Sequence, residues 1–277
     1  MSSVTLPDFR YPMTSGLLNL AARGVALGPE HHVLDVGAGN GAAALHLARE
    51  FGCRVTAIDS DEASVRAIRE LAEVAGLAER VKARLMDLGH WNLPIRAFDF
   101  VFAFGGVLTA LDRVRALEQI GVHLAPGGCL LLSDLIYLDG ESPAAARDLL
   151  RDLSGLEGEI VEEREHQPEP VVRAIFEQGR FRFTNEPGYR ALLEAFGYDT
   201  LFTMLMPESV WGEYFERTAR QAGELDSPHC NREARAWVAQ EAGAYYGYGG
   251  RGTVGYLFAG ARNAVGGDSD EAASETE

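Results

Sequence analysis

The chain has 277 residues, of which 47% are hydrophobic and 24% are charged, a balance typical of a globular protein large enough to bury a full core. Its 41 acidic and 25 basic side chains give a formal net charge of −16, and the basic residues are scattered without forming a Lys/Arg block. Because such a field repels phosphate backbones and anionic lipids, a nucleic-acid partner is disfavoured.

The first predicted element is a helix over residues 13–27, whose apolar residues fall on one helical face. After it, short apolar runs alternate with helical segments, which is typical of a parallel sheet with crossover helices. Strands are predicted at residues 33–36, 54–58, 81–85, 98–104 and 129–132. Helices are predicted between them at residues 42–51, 61–75 with Ser60 as its N-cap, and 111–124.

Beyond Tyr137 the pattern is looser. Residues 139–187 contain Gly, Pro and an acidic run at 157–169, and we interpret them as helical insertions over the substrate side, with the acidic run as a solvated helix face or lid. Further elements are predicted as helices at 189–196, 209–222 and 231–246 and strands at 200–205 and 253–259. The predicted fold is therefore α/β, a doubly wound, seven-stranded, mostly parallel sheet.

In domain terms, we expect residues 1–265 to form one domain and residues 266–277, which are small and acidic, to form a disordered tail. Within that domain, residues 13–137 would be the ligand-binding core, residues 138–252 the insertion on the substrate side, and residues 253–260 the last strand. No internal repeat divides the chain.

The loop after the first strand carries glycine at every second position, at Gly37, Gly39 and Gly41. Without Cβ atoms, this backbone can turn tightly and approach a ligand closely. The helix that follows directs its N-terminal amides at the same place. A glycine loop between a strand and a helix predicts a nucleotide-like ligand and not merely a tight turn.

Three acidic residues at strand ends narrow the choice of ligand, because the Gly-x-Gly-x-x-Ala spacing of the loop also suits NAD. Asp35, two residues before Gly37, would repel a pyrophosphate but attract the amino group of S-adenosylmethionine (SAM). Asp59 ends the second strand and can accept hydrogen bonds from the ribose of either ligand. Asp87 follows the third strand, where it can accept from the adenine amine. Together the three carboxylates favour SAM, which has no phosphate and carries a positive sulfonium.

On these residues the chain resembles the class I SAM-dependent methyltransferases over about residues 13–137, with the last strand also in place. The matching segments are the glycine loop at 35–41, Met86-Asp87-Leu88, residues 102–106, and Pro126-Gly127-Gly128 as the turn before the fifth strand. In the family, the segment that corresponds to residues 102–106 lines the methionine end of the cofactor. The resemblance implies the Rossmann-like methyltransferase fold, SAM as cofactor, and Asp35, Gly37, Ala38, Gly39, Asn40, Gly41, Asp59, Ser60, Asp87, Leu88 and Phe104 as cofactor-binding residues.

Within the superfamily, the arrangement is most similar to small-molecule methyltransferases of the ubiquinone/menaquinone-biosynthesis type. The C-terminal segments, such as residues 206–211 and 245–246, resemble a bacterial group assigned as methyltransferases without a known substrate. The fourth strand ends in Phe-Gly-Gly, unlike the Asn/Asp-Pro-Pro-aromatic run of enzymes that methylate nucleobase or amide nitrogen. We therefore expect in-line methyl transfer to a small molecule, catalysed mainly by proximity and orientation.

Candidates for direct catalytic and substrate roles are fewer. His90 follows Asp87 and is the candidate general base, with an exposed loop histidine as the alternative interpretation. Tyr11, Trp211, Tyr245 and Tyr246 are candidate substrate-side residues. For Trp211, packing in the core is the commoner outcome of an aromatic residue at helical spacing.

The three cysteines, Cys53, Cys129 and Cys230, are far apart and stand at no metal-ligand spacing, so no metal is predicted. The first residues show no secretory signal, and no apolar run is long enough for a membrane span, so a cytoplasmic protein is expected. Two other functions stay open: an NAD-dependent oxidoreductase, and a non-catalytic SAM-binding regulatory module whose segments after residue 137 engage another protein.

Overall fold

The computed structural model describes residues 4–138, 185–223 and 254–264, and the strands within them form one seven-stranded sheet. The strands are β1 (His32–Val36), β2 (Arg54–Asp59), β3 (Val81–Leu85), β4 (Phe98–Ala103), β5 (Leu124–Tyr137), β6 (Tyr198–Leu205) and β7 (Val254–Asn263). Their order across the sheet is β3-β2-β1-β4-β5-β7-β6, and β7 runs antiparallel to both of its neighbours. The predicted α/β class and the mostly parallel, seven-stranded sheet are confirmed.

The order of the strands positions the glycine loop. From β1, the chain adds β2 and then β3 on one side. It then returns to the centre, where β4 pairs with the other side of β1 and β5 follows beyond it. The direction in which strands are added therefore reverses between β1 and β4. The loops that follow the carboxyl ends of these two strands diverge there, and such a point in an open α/β sheet is the usual position of a ligand-binding crevice. The loop that carries the three glycines follows β1 directly.

Helices cover both faces of this sheet. In the described ranges they are α1 (Ser15–Gly24), α2 (Ala42–Phe51), α3 (Glu62–Val74), α4 (Val107–Leu111), α5 (Arg113–His123), α6 (Glu186–Ala195) and α7 (Glu208–Gly223). Successive strand residues point to opposite faces, so Val33 joins one buried cluster and Leu34 the other. Both faces are buried, which explains why the central strands are continuous apolar runs.

Among the helix boundaries that differ from the prediction, two have clear local causes. The N-cap of α3 is Asp61 and not Ser60, because the Asp61 carboxylate accepts hydrogen bonds from Ala63 N and Ser64 N, while Ser60 is exposed. The helix expected at 111–124 is α5, which begins only at Arg113, and an additional short helix, α4, precedes it. Asp112 separates them with φ +73°, and its side chain accepts from Val114 N at the start of α5.

The predicted turn at Pro126-Gly127-Gly128 lies inside β5. Phe98 pairs with Leu124, whereas Phe100 pairs with Cys129, so β5 has three more residues than β4 between these two pairs and bulges out of the ladder. Gly127 has φ +73°, which a glycine adopts without strain. The breaker residues therefore interrupt the pairing without ending the strand. At the other end of the chain, β7 continues to Asn263, past the predicted end.

Several predicted segments lie outside the described residues: the insertion with its acidic run at 157–169, the helix at 231–246 and the tail at 266–277. None of the helices in the described ranges has the length and apolar character that crossing a bilayer requires.

Candidate functional site

The glycine loop follows β1 and leads into α2, as predicted. Gly37, Gly39 and Gly41 all have positive φ, at +66°, +55° and +77°. The loop is fixed to the end of β2, because Gly37 N and Ala38 N both donate to Ile58 O, at 2.9 and 3.1 Å. Its conformation is therefore set by the adjacent strand.

The three glycines have different surroundings. A Cβ on Gly37 would lie 2.7 Å from Val107 Cγ2, and one on Gly41 would lie 2.7 Å from Ile68 Cγ1, so both positions lack room for a side chain. A Cβ on Gly39 would meet only Gly37 O, at 4.0 Å. Packing thus requires two of the glycines, while Gly39 borders open space that a ligand can approach.

Asp59, at the end of β2, holds this loop with its carboxylate. Oδ2 accepts from Gly39 N at 2.7 Å and Oδ1 accepts from Asp61 N at 2.9 Å. A carboxylate oxygen has two acceptor positions, so each oxygen keeps one for another donor. The side chain is 9% exposed. This arrangement fits the predicted contact with a ribose.

Asp35, in β1, is the least satisfied group of the site. It is 3% exposed, and its Oδ2 is buried without a hydrogen-bond partner in the described structure. Burial and then the neighbouring charge of Asp59 raise its pKa to about 7, opposed by a hydrogen bond from the backbone of Ala44. A buried carboxyl without a partner is costly, and a cationic ligand would relieve that cost.

The N-terminal strap, residues 4–13, lies beside the carboxyl ends of β1 and β4. The ring of Tyr11 is 5.9 Å from that of Phe104, and a Cβ on Gly105 would lie 2.9 Å from Tyr11 Cδ1. Burial, and after it the charge of Asp35, raises the pKa of Tyr11 well above its usual value. Tyr11 is therefore a neutral phenol close to Asp35, next to the glycine loop.

The segment after β3 is more open. Asp87 is exposed, and its Oδ1 accepts from Gly89 N at 2.8 Å. Leu88 O accepts from Trp91 Nε1 at 2.6 Å, and Met86 N donates to Asp59 O at 2.9 Å. The segment is thus tied to the end of β2, on the side of the glycine loop that faces away from β4.

Comparison with known proteins agrees with this geometry. Residues 33–128 match a family model described as a methyltransferase domain. Over these residues the chain is similar to methyltransferase domains.

Similar proteins carry several activities. Over 117 residues the chain is 36% identical to a glycine/sarcosine/dimethylglycine N-methyltransferase of Actinopolyspora halophila, a match that covers 42% of this chain and 20% of that relative. A SAM-dependent methyltransferase from Thiobacillus denitrificans, solved with S-adenosyl-L-homocysteine, has a TM-score of 0.63 at 20% identity, covering 91% of this chain and 93% of the other. The [4+2]-cyclase SpnF has a TM-score of 0.64 at 21% identity, covering 91% and 81%. Likeness at this level shows the fold alone.

His90 lies on the side of this methyltransferase fold that is far from β4. It follows β3, which is at the edge of the sheet, so β2 and β1 lie between it and β4. Three strand spacings of about 4.8 Å make a separation of roughly 14 Å. His90 is exposed, and its backbone N donates to Asp87 O. This placement favours the loop interpretation over the general base.

Of the remaining aromatic candidates, the structure describes only Trp211. Trp211 is 2% exposed, with its ring 4.8 Å from Tyr256 and 5.5 Å from Phe215, which favours packing over substrate contact. Tyr245 and Tyr246 lie outside the described residues, as does Cys230. Cys53 and Cys129 are buried free thiols. In the described ranges, no three or more His, Cys, Asp or Glu residues are grouped to hold a metal ion.

Two features of the candidate site go beyond the sequence-based expectations, which named only Tyr11 of the strap and assigned no role to Asp134. One is the strap, which is held through its own backbone carbonyls: Asp8 O accepts from Asn40 Nδ2 and Phe9 O from Arg217, both at 2.8 Å. The other is Asp134, a fully buried carboxylate at the carboxyl end of β5. An acidic residue ending an apolar strand was the available signal for Asp134, whereas the strap has no local signal.

Proposed function

We propose that this methyltransferase domain binds SAM over the glycine loop and transfers its methyl group to a small-molecule acceptor. The observation that carries the proposal is Asp35, whose buried Oδ2 has no partner in the described structure. It stands beside a loop whose middle glycine, Gly39, borders open space. A ligand with a cationic amino group would supply the missing partner, and a pyrophosphate would not.

Each of the other site residues would contact a different part of the cofactor. Asp59 would accept from the ribose hydroxyls with its remaining lone pairs, next to the exposed Ser60. Asp87 and Leu88 would hold the adenine at the sheet edge. The loop residues Ala38 and Asn40 would face the ligand at the start of α2, where free amides favour a carboxylate. Phe104 would line the methionine end.

The described part of the site supports catalysis by positioning. SAM, when bound, supplies a methyl group already activated by its sulfonium. Tyr11, Phe104 and Phe258 form an aromatic wall beside the carboxyl end of β4, with successive ring centroids 5.9 Å apart. This wall would keep water away from the transferred methyl group. Proximity and orientation can lower a barrier by about 7–11 kcal/mol. The neutral phenol of Tyr11 can donate a hydrogen bond but does not remove a proton near neutral pH.

We also propose that the acceptor binds beside this wall, with Tyr245 and Tyr246 among its aromatic contacts. The net charge of −16 supports a small-molecule acceptor over a nucleic acid. A cytoplasmic location is supported by the two buried free thiols, which suit a reducing compartment.

Calorimetry with S-adenosylhomocysteine (SAH) tests the cofactor site. We expect binding by the wild type and loss of at least tenfold in affinity for Asp35→Asn and Asp59→Ala, because each loses a charge-assisted contact. Asp99→Asn is the matched control. Its carboxylate accepts from His32 N at the opposite end of the sheet, so SAH affinity should not change. Stronger stabilisation by NAD than by SAH in a thermal-shift assay would instead support an oxidoreductase.

Turnover is tested separately, because the same fold carries a cyclase and can serve as a binding module. The protein is incubated with labelled SAM and a metabolite extract, and labelled products are identified by mass spectrometry. A labelled small molecule formed by the wild type and not by Asp35→Asn supports the methyltransferase. SAH binding with no labelled product from any extract would contradict the proposed activity while leaving the cofactor site in place.

A further inference from the structure

Asp134 lies at the centre of a buried polar cluster, which we call the Asp134 cluster: Asp134, Thr109, Arg113 and Tyr189. Its Oδ1 accepts from Thr109 Oγ1 at 2.5 Å, and its Oδ2 accepts from Arg113 Nε at 2.9 Å and Tyr189 OH at 2.8 Å. Arg113 also donates to Thr109 Oγ1 at 2.5 Å. Since the carboxylate is fully buried and each oxygen has donors from the protein, it is not a contact for a substrate.

The end of β5 holds the segment that follows β4. Gly105 N donates to Ser133 Oγ at 2.9 Å and Gly106 N donates to Ser133 O at 3.0 Å. Asp134, the next residue, holds Thr109 in α4. A five-residue helix is too short to be stable alone, so its position depends on these contacts. Ser133 and Asp134 therefore fix both ends of residues 105–109.

That segment packs directly against the glycine loop and the strap. Val107 fills the space over Gly37, where a Cβ would come within 2.7 Å of its Cγ2. Gly105 packs against Tyr11 in the same close manner. A shift of α4 would therefore move the side chain that supports the first glycine of the loop, close to the carboxyl of Asp35. The segment after β3, which lies at the edge of the sheet farthest from β5 on this side, would be displaced least.

We propose that Asp134 is a positioning residue for the methionine half of the cofactor site, acting through Thr109 and Val107 on the glycine loop. The inference rests on the proposed SAM binding. The Asp134 cluster has two branches, one through Thr109 and one through Tyr189. The Thr109 branch leads through Val107 to the cofactor loop, whereas the Tyr189 branch anchors α6. Both α4 and α6 pack on the face of the sheet away from α1 and α2.

The test compares two ligands by calorimetry on the full chain. SAH carries both the adenosine and the amino-acid half, and 5′-methylthioadenosine lacks the amino-acid half. For Thr109→Val we expect SAH affinity to fall about fivefold or more, the lower end of coupling between linked sites. Its affinity for methylthioadenosine should be that of the wild type. Thr109→Ser, which keeps the hydroxyl, should restore SAH binding.

The Tyr189 branch supplies the internal control. Tyr189→Phe should lower Tm, because a buried hydrogen bond to a charged group is lost, yet bind both ligands as the wild type does. Tyr198→Phe controls for the substitution itself, since the buried Tyr198 hydroxyl has no hydrogen-bond partner among the described residues. Its Tm should not fall.

Three results would overturn the inference. If Thr109→Val binds both ligands as the wild type does, Asp134 has no positioning role for the cofactor. If it loses affinity for both ligands equally, the effect is general destabilisation. If the wild type binds no SAH, the proposed function fails and the inference fails with it. Should Thr109→Val not fold, Val107→Ala tests the same contact at Gly37, and we expect the same loss confined to SAH.

Discussion

Asp35 gives the ligand-free protein a characteristic dependence on pH. Its folded pKa of about 7 lies above the value near 4 of an unfolded aspartate. The folded state therefore binds the proton more tightly, and the stability this contributes is complete below about pH 4 and lost as pH rises through 7. We expect the Tm of the wild type to fall relative to that of Asp35→Asn between pH 4 and pH 7. Parallel Tm profiles for the two proteins would contradict the raised pKa.

The same carboxyl should make cofactor binding depend on pH in the opposite direction. A cationic amino group binds the ionised form, so SAH affinity should rise with pH and level off above about 7. If only the ionised form binds, affinity falls by about tenfold for each pH unit below 7. Calorimetry between pH 5.5 and 7.5 measures this slope, and binding in buffers of different ionisation enthalpy should reveal proton release. The wild-type slope persisting in Asp35→Asn would assign it to another group.

Gly37 and Gly39 should respond differently to alanine. Both have positive φ, which costs a non-glycine residue about 1–2 kcal/mol. Gly37→Ala adds a clash with Val107, whereas the new Cβ of Gly39→Ala enters open space. We expect Gly39→Ala to fold with a loss of about 1–2 kcal/mol in the free energy of unfolding but to lose SAH binding, and Gly37→Ala to be less stable. Denaturant unfolding and calorimetry check both. SAH binding by Gly39→Ala at wild-type affinity would contradict a ligand over this residue.

At the scale of elements, the strap is an irregular segment held by side chains of other elements. Asn40 joins it to the glycine loop, because its Nδ2 donates to Asp8 O while its Oδ1 accepts from Ala42 N at 3.3 Å. Asn40→Ala should free the strap and increase hydrogen exchange in residues 5–12, with faster release of SAH. Gln119→Ala, which removes the acceptor of Trp91 N in the buried cluster on the opposite face of the sheet, is the control and should leave that exchange unchanged. Equal exchange in the wild type and Asn40→Ala would show that other contacts hold the strap.

Elements defined by a local pattern were predicted well, and each exception has an identifiable structural cause. The strand at residues 81–85 and the helix at 42–51 have the predicted bounds, because period and flanking glycines define them. The helix expected at 111–124 begins only at Arg113, because Asp112 has a positive φ and caps the helix. Pro126 to Gly128 look like a turn locally, but pairing with β4 and β7 continues the strand past them.

At the scale of the whole molecule, the charge of −16 opposes the compact state. The Debye length falls from about 30 Å at 0.01 M salt to about 10 Å at 0.1 M, so added salt screens repulsion between distant acidic groups. We expect Tm to rise as NaCl is increased from 0.01 to 0.3 M, and KCl to have the same effect. A Tm that is constant or falls over this range would show that local ion pairs outweigh the net repulsion.

The sequence by itself determined the sheet, the glycine loop and the three acidic strand ends, because alternation, glycine spacing and strand boundaries are properties of adjacent residues. It did not separate the roles of Gly37 and Gly39, because the difference depends on Val107, seventy residues away from Gly37. Only the tertiary structure placed His90 on the far side of the sheet from β4 and Trp211 in the core. Only it joined Asp134 to Thr109, Arg113 and Tyr189. Those outcomes depend on which elements pack together, and long-range packing leaves no periodic trace in the chain.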